Sequence, residues 1–165
     1  MSINGSKRVA IIMGSSSDWP SIKPATEILE EMGVGYEAKV LSAHRTPKEL
    51  LKYVEDRVKE AEVQVFIAGA GGAAHLAGVI AAHTTLPVLG IPMESKSLKG
   101  LDSLLSTVQM PAGIPVATFG IGSPGSINAA LFACAILGIK DKKISEAIKN
   151  YRNKKAKSVL NSKLD

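Results

Sequence analysis

Four short apolar runs and one segment that is apolar at every other residue, 36–41, punctuate the chain, and each gives way to a stretch in which apolar residues return every three or four positions. The runs are residues 9–13, 36–41, 65–68, 88–91 and 116–119. Their length and their bounding glycines and prolines mark them as strands. The intervening stretches 22–32, 47–62, 73–83, 98–109 and 126–137 carry helical spacing. Pro20 suits a first helical turn, whereas Pro24 would remove a backbone bond, so the first helix is expected to start late or to kink. Strands apolar on both faces, each followed by a helix, require a parallel sheet covered on both sides. Five such units in roughly 140 residues fit a three-layer, five-stranded, doubly wound α/β sheet of the flavodoxin-like kind; an eight-fold barrel needs about 250. Ile144, Ile148 and Tyr151 add the apolar stripe of one further, C-terminal helix. One domain spanning 1–165 is expected, with its core at about 7–138 and a basic helix and tail at about 141–165.

Charge changes this picture little. The net charge of +5 suggests nucleic acid at first sight. Residues 140–165, however, hold nine Lys or Arg against three Asp or Glu, and the first 139 hold eleven against twelve. The excess belongs to one solvated helix face, so nucleic acid is not expected as a partner. No apolar run approaches the roughly 18 residues of a membrane span, and the N-terminal residues 1–7 lack the apolar core of a secretory signal. The single cysteine, Cys134, lies among Ala, Leu and Ile, as a small core residue would. A reducing, cytoplasmic setting is expected.

In a sheet of this kind ligands gather beyond the carboxyl ends of the strands. Three polar loops lie there: Gly14-Ser15-Ser16-Ser17-Asp18-Trp19, Ser42-Ala43-His44-Arg45, and Gly69-Ala70-Gly71-Gly72-Ala73-Ala74-His75. The first has the chemistry of an anion cradle, with a glycine, serine hydroxyls and the amides of a helix start. It has neither the lysine of a triphosphate loop nor a dinucleotide glycine pattern. Asp18 suits either the cap of the following helix or an acceptor for ribose hydroxyls. Thr46 is the expected cap of the next helix, with Pro47 in its first turn. Arg45 at that helix mouth opposes the helix dipole, a conflict an anion held between them would remove. His44, beside it, can serve as general acid or base. His75 and His83, eight helical residues apart, would be separated by about 12 Å, too far to share a metal ion. No metal site is expected.

The segments Gly14-Ser15-x-Ser17-Asp18-Trp19, 42–47 (Ser-Ala-His-Arg-Thr-Pro), 68–76 (Ala-Gly-Ala-Gly-Gly-Ala-Ala-His-Leu) and 102–111 (Asp-Ser-Leu-Leu-Ser-Thr-Val-Gln-Met-Pro) closely resemble the PurE family, 5-(carboxyamino)imidazole ribonucleotide mutase. The resemblance runs from about residue 9 to 137. It implies an enzyme of purine biosynthesis that moves a carboxylate from the exocyclic nitrogen of an imidazole ribonucleotide to ring carbon 4, without metal, ATP or biotin. By the same resemblance Ser15, Asp18 and Arg45 bind the ribonucleotide, and His44 carries a proton at the ring carbon. Ser17, Ser42, Ala70, Gly71 and His75 line the pocket. The third loop is similar to the mutase branch rather than to relatives that carboxylate aminoimidazole ribonucleotide directly. Ala77, where the family usually has proline, and Glu94, where a neutral residue is more familiar, depart from the pattern.

From the residues alone, a flavin-binding or sugar-phosphate isomerase domain would share the fold and the serine cradle. A receiver-type module would need acidic residues after the first strand, where Gly14 and Ser15 stand. Residues 127–137 are apolar almost all round and 73–82 are small and apolar. One domain can hardly bury every face of both, so a homo-oligomer is expected; the family resemblance implies an octamer.

Overall fold

The computed structural model describes residues 6–163. Met1–Gly5, on which most of the signal-peptide expectation rests, lie outside them. In chain order the elements are β1 (Val9–Met13), a 3₁₀ turn (Ser16–Asp18), α1 (Trp19–Glu31), β2 (Tyr36–Val40), α2 (Pro47–Glu60), β3 (Val65–Ala70), α3 (Leu76–Ala81), β4 (Val88–Pro92), α4 (Leu101–Val108), β5 (Ala117–Thr118), α5 (Ser123–Gly138) and α6 (Lys142–Leu160). The five strands form one parallel sheet in the order β2-β1-β3-β4-β5. That is the flavodoxin-like order, and it places β1 between the two strands whose loops carry His44 and His75. None of the helices described is long and apolar enough to cross a membrane.

Strand alternation sorts the core into two layers. On β1, Val9, Ile11 and Met13 face α1, α5 and α6, while Ala10 and Ile12 face α2 and α3. Burial of this kind stabilises by roughly 25 cal/mol per Å2 of apolar surface. Two strand glycines permit the close approach of a helix. A Cβ on Gly69 would lie 2.5 Å from Cδ1 of Ile22 in α1, and one on Gly90 would lie 2.7 Å from Cγ2 of Thr107 in α4. Cys134 is fully buried in the first layer, where desolvation pushes its thiol up to about 12.

Several boundaries differ from expectation for identifiable reasons. α1 begins at Trp19, with Pro20 in its first turn, and runs on through Pro24. The carbonyl that Pro24 cannot bond belongs to Pro20, at the loosely held helix start, so the late start does not occur. The helix ends in a Schellman turn: Gly33 at φ +70° donates to the Glu30 carbonyl at 3.0 Å, and Val34 donates to that of Leu29 at 2.8 Å. α2 stops at Glu60 because Ala61 turns left-handed at φ +56°. Thr46 occupies the cap position of α2, but its side chain makes no capping bond. Its Oγ1 instead accepts from the Ser42 amide at 2.8 Å. α3 is one and a half turns rather than three, since residues 71–75 form a loop held by α4. The predicted burial problem is also placed differently. α5 is covered by α1 and α6, and α3 is buried, whereas Leu98, Leu101, Leu105 and Val108 leave an exposed apolar stripe on and before α4.

One buried polar cluster lies toward the amino-terminal end of β2. Glu37 Oε1 accepts from the Tyr53 hydroxyl at 2.7 Å and from Arg57 Nη1 at 3.2 Å, and Lys7 Nζ lies 3.3 Å from Oε2. Burial alone would raise the Glu37 carboxyl. The Tyr53 hydrogen bond and the Lys7 and Arg57 charges outweigh it, so the pKa falls below the ordinary value.

Candidate active site

The three polar loops meet at the carboxyl edge of the sheet around a cleft of about 460 Å3. In the first, the Ser15 hydroxyl accepts from Ser17 N at 3.3 Å and from Ser17 Oγ at 2.8 Å, closing the 3₁₀ turn. This turn, not α1 itself, receives the serine cap. Asp18 stands immediately before α1, yet its carboxylate makes no capping bond. Of its two predicted roles, the structural one is therefore unfilled. The carboxylate is half-buried, and desolvation holds its pKa above the ordinary value, against the opposing pull of the Ser15 backbone and the Arg45 charge.

The second loop is a hydroxyl-centred turn. Ser42 Oγ accepts from the amides of His44 at 3.4 Å and Arg45 at 3.2 Å, while Thr46 returns Oγ1 to the Ser42 carbonyl at 3.2 Å. With the backbone pinned in this way, the side chains of His44 and Arg45 project from it, both exposed. Arg45 Nη2 donates to the Gly14 carbonyl at 2.8 Å, tying the second loop to the first. A guanidinium has five donors, and this contact leaves most of its fork for an anion.

In the third loop, Gly72 takes φ +66°, and a Cβ on Gly71 would approach Cβ of Met93 to 3.2 Å. The loop is held from α4: Gly72 N donates to Ser103 Oγ at 2.9 Å and Ala74 N to Ser106 Oγ at 3.2 Å. His75, at the mouth of α3, reaches His44 with Nδ1 2.9 Å from Nε2. Of the residues singled out in the sequence, Ser15, Ser17, Asp18, Ser42, His44, Arg45, Ala70 and Gly71 line the cleft. His75 does not; it borders the cleft through His44. Glu94 and Ser95, just beyond β4, also line it and had not been assigned to the pocket. The signal was available, since β4 ends on the same edge as the other three loops. Ser95 is itself anchored, donating to Asp102 Oδ1 at 2.5 Å and accepting from Gly100 N at 3.0 Å.

A cleft at the carboxyl edge of a doubly wound sheet, with an anion fork, hydroxyl donors and an imidazole, defines a flavodoxin-like α/β protein equipped for a small phosphorylated ligand. The AIR carboxylase family model matches residues 8–158, and the chain belongs to that family. Proteins named N5-carboxyaminoimidazole ribonucleotide mutase are similar over nearly the whole length. The one from Saccharolobus solfataricus is 52% identical over 158 residues, 96% of this chain and 98% of the relative. That from Bacillus subtilis is 53% identical over 154 residues, 93% and 94%. Among solved structures, Treponema denticola PurE superposes with a TM-score of 0.85 at 28% identity, covering 92% of this chain and 93% of that one.

Proposed function

We propose that the chain is an isomerase of purine biosynthesis, converting N5-carboxyaminoimidazole ribonucleotide to the 4-carboxylate of aminoimidazole ribonucleotide. The observation that carries this reading is identity above 50%, over nearly the full length, to relatives bearing the mutase name. Loss of carbon dioxide from the carbamate leaves an electron pair on the exocyclic nitrogen that takes up a proton. Attack of ring carbon 4 on the same carbon dioxide later releases one, so the proton count closes without a cofactor. His44, an imidazole in the cleft lining, suits the task of carrying that proton, and Arg45 with Ser15 and Ser17 suits the phosphate. Asp18, free of capping duty, suits the ribose hydroxyls. Ser42, Ala70 and Gly71 wall the space in which carbon dioxide must be retained, with His75 at its border. Retention matters because carbon dioxide lost to solvent ends the transfer.

The chain acts, on this reading, as one domain in the cytoplasm. The exposed stripe of Leu98, Leu101, Leu105 and Val108, with half-exposed Phe132, supports assembly with further copies, as an octamer by family likeness. The test is turnover of N5-carboxyaminoimidazole ribonucleotide without ATP. Wild-type protein should convert it, and His44→Asn should not. The family model's own name favours one competing activity, and supplying aminoimidazole ribonucleotide with bicarbonate separates the two. Faster product formation from that mixture than from the carbamate would replace the mutase reading with direct carboxylation.

A further inference from the structure

Among the described residues that line the cleft stand two acids, Asp18 and Glu94, against a single guanidinium, that of Arg45. Such a balance is unexpected where a phosphate and a carboxylate must bind, since each acid repels both. An acid is useful there only if it faces a hydrogen-bond donor of the ligand. Asp18 suits the ribose hydroxyls, which leaves Glu94 without a ligand group to face. Glu94 is exposed, and among the described residues its side chain joins no hydrogen bond and no ion pair.

The backbone on either side of Glu94 is held. Met93 is buried, and its amide donates to the Ala70 carbonyl at 2.8 Å. Ser95 is anchored through its hydroxyl to Gly100 and Asp102. The Glu94 carbonyl oxygen lies against the third loop, 3.8 Å from where a Cβ on Gly71 would stand. Sheet order then decides which end of a ligand Glu94 meets. Arg45 follows β2 and reaches back to the Gly14 carbonyl at the end of β1, whereas Glu94 follows β4. β2 and β4 are three strand spacings apart, roughly 14 Å. With the phosphate at the Arg45 end and the ribose beside Asp18, the base is the part of the ligand nearest β4.

We propose that Glu94 recognises the exocyclic nitrogen of the base, accepting its N–H in the carbamate and holding the free amine once carbon dioxide has left. This rests on the ribonucleotide reading. Ring nitrogen 1 carries the ribose and ring nitrogen 3 offers only a lone pair, so the exocyclic nitrogen is the one N–H donor of the base. When the carbon–nitrogen bond breaks, its electron pair stays on that nitrogen and takes the proton that His44 carries. One N–H becomes two, while Glu94 neither gives nor takes a proton. Charge works in the same direction. Glu94 is repelled by the carbamate carboxylate and not by neutral carbon dioxide, so its attraction is greatest for the amine, the species that must not escape before carbon 4 reacts.

The test is a binding cycle by calorimetry with aminoimidazole ribonucleotide and with imidazole ribonucleotide, which lacks the amino group. Wild type should favour the amino ligand roughly ten- to hundredfold, the weight of a hydrogen bond to a charged acceptor. Glu94→Ala should bind the two within about twofold of each other. Glu94→Gln, whose carbonyl still accepts, should keep a preference of roughly two- to tenfold. Asp18→Asn should weaken both ligands and leave their ratio as in wild type. In turnover of the carbamate, corrected for its spontaneous decay, Glu94→Ala should release a larger share of aminoimidazole ribonucleotide than wild type does. No amino preference in wild type, a preference that survives in Glu94→Ala, or one that disappears in Asp18→Asn would each overturn the proposal. Failure of the underlying reading looks different: neither ribonucleotide would then bind wild type at all.

Discussion

The unit built from β2, its loop and α2 carries charged groups at both ends and treats them in opposite ways. Toward the amino-terminal end, Glu37 is buried and its oxygens are met by Tyr53, Arg57 and Lys7. A few residues on, His44 and Arg45 stand exposed on a loop whose backbone is fixed by Ser42 and Thr46. Across the cleft Asp18 is partly desolvated without a capping bond, and its pKa moves up where that of Glu37 moves down. The difference separates two uses of charge. At Glu37 the partners come from the chain and contribute to folding; at Asp18 and Arg45 the proposed function assigns the free valences to a partner from outside.

The largest expected effect falls on the site end. His44→Asn should reduce kcat by about 10²- to 10⁴-fold, the usual range for a general acid or base, while leaving the melting temperature within a degree or two of wild type, since the side chain is exposed. Glu37→Gln should do the reverse, lowering stability by about 2 to 3 kcal/mol in denaturant titration with kcat of the folded protein unchanged. Arg45→Lys should raise KM roughly tenfold, because a point charge replaces a planar fork; an unchanged KM would remove Arg45 from anion binding. The smallest effect is also the most discriminating. Asp18→Asn should stabilise the free protein at neutral pH by at most about 1 kcal/mol while weakening ligand binding.

The pH dependence follows the two shifts in opposite senses. The lowered Glu37 pKa contributes stability above its unfolded value near 4.5, and that contribution is lost as pH falls through the lower folded value. The raised Asp18 pKa contributes below its unfolded value near 3.8, and this is lost as pH rises through the higher folded one. Acid unfolding of Glu37→Gln should therefore be shallower than wild type, whereas the stability gained by Asp18→Asn should build as pH rises from about 3.8 toward the higher folded value and be complete above it.

The strands were legible because period and composition agree: β1, β3 and β4 are buried on both faces, and their apolar runs say so. The cleft was legible through topology, since the order of strands brings the loops of β1, β2 and β3 to one place. What local pattern could not show was which partner each polar group takes, whether four residues away or 30 or so. Residues 73–75 have helical spacing, but the Ala74 amide is taken by Ser106, and the helix waits until Leu76. Thr46 reads as a cap, yet its hydroxyl serves Ser42. The bond between His44 and His75 joins residues 31 apart and has no signature in either segment. Exposed apolar surface was expected on residues 73–82 and 127–137, yet most of it lies along α4, because α3 is buried and α6 and α1 cover much of α5.

Cys134, the only thiol in the chain, sits at zero exposure between the packed helices of the first layer and is held protonated at neutral pH. An aromatic disulfide reagent should therefore be blind to the native protein and see only molecules in which α5 has parted from α1. The chain carries its own stopwatch for opening: the rate of colour development in dilute denaturant counts those excursions directly, with no label to be engineered in.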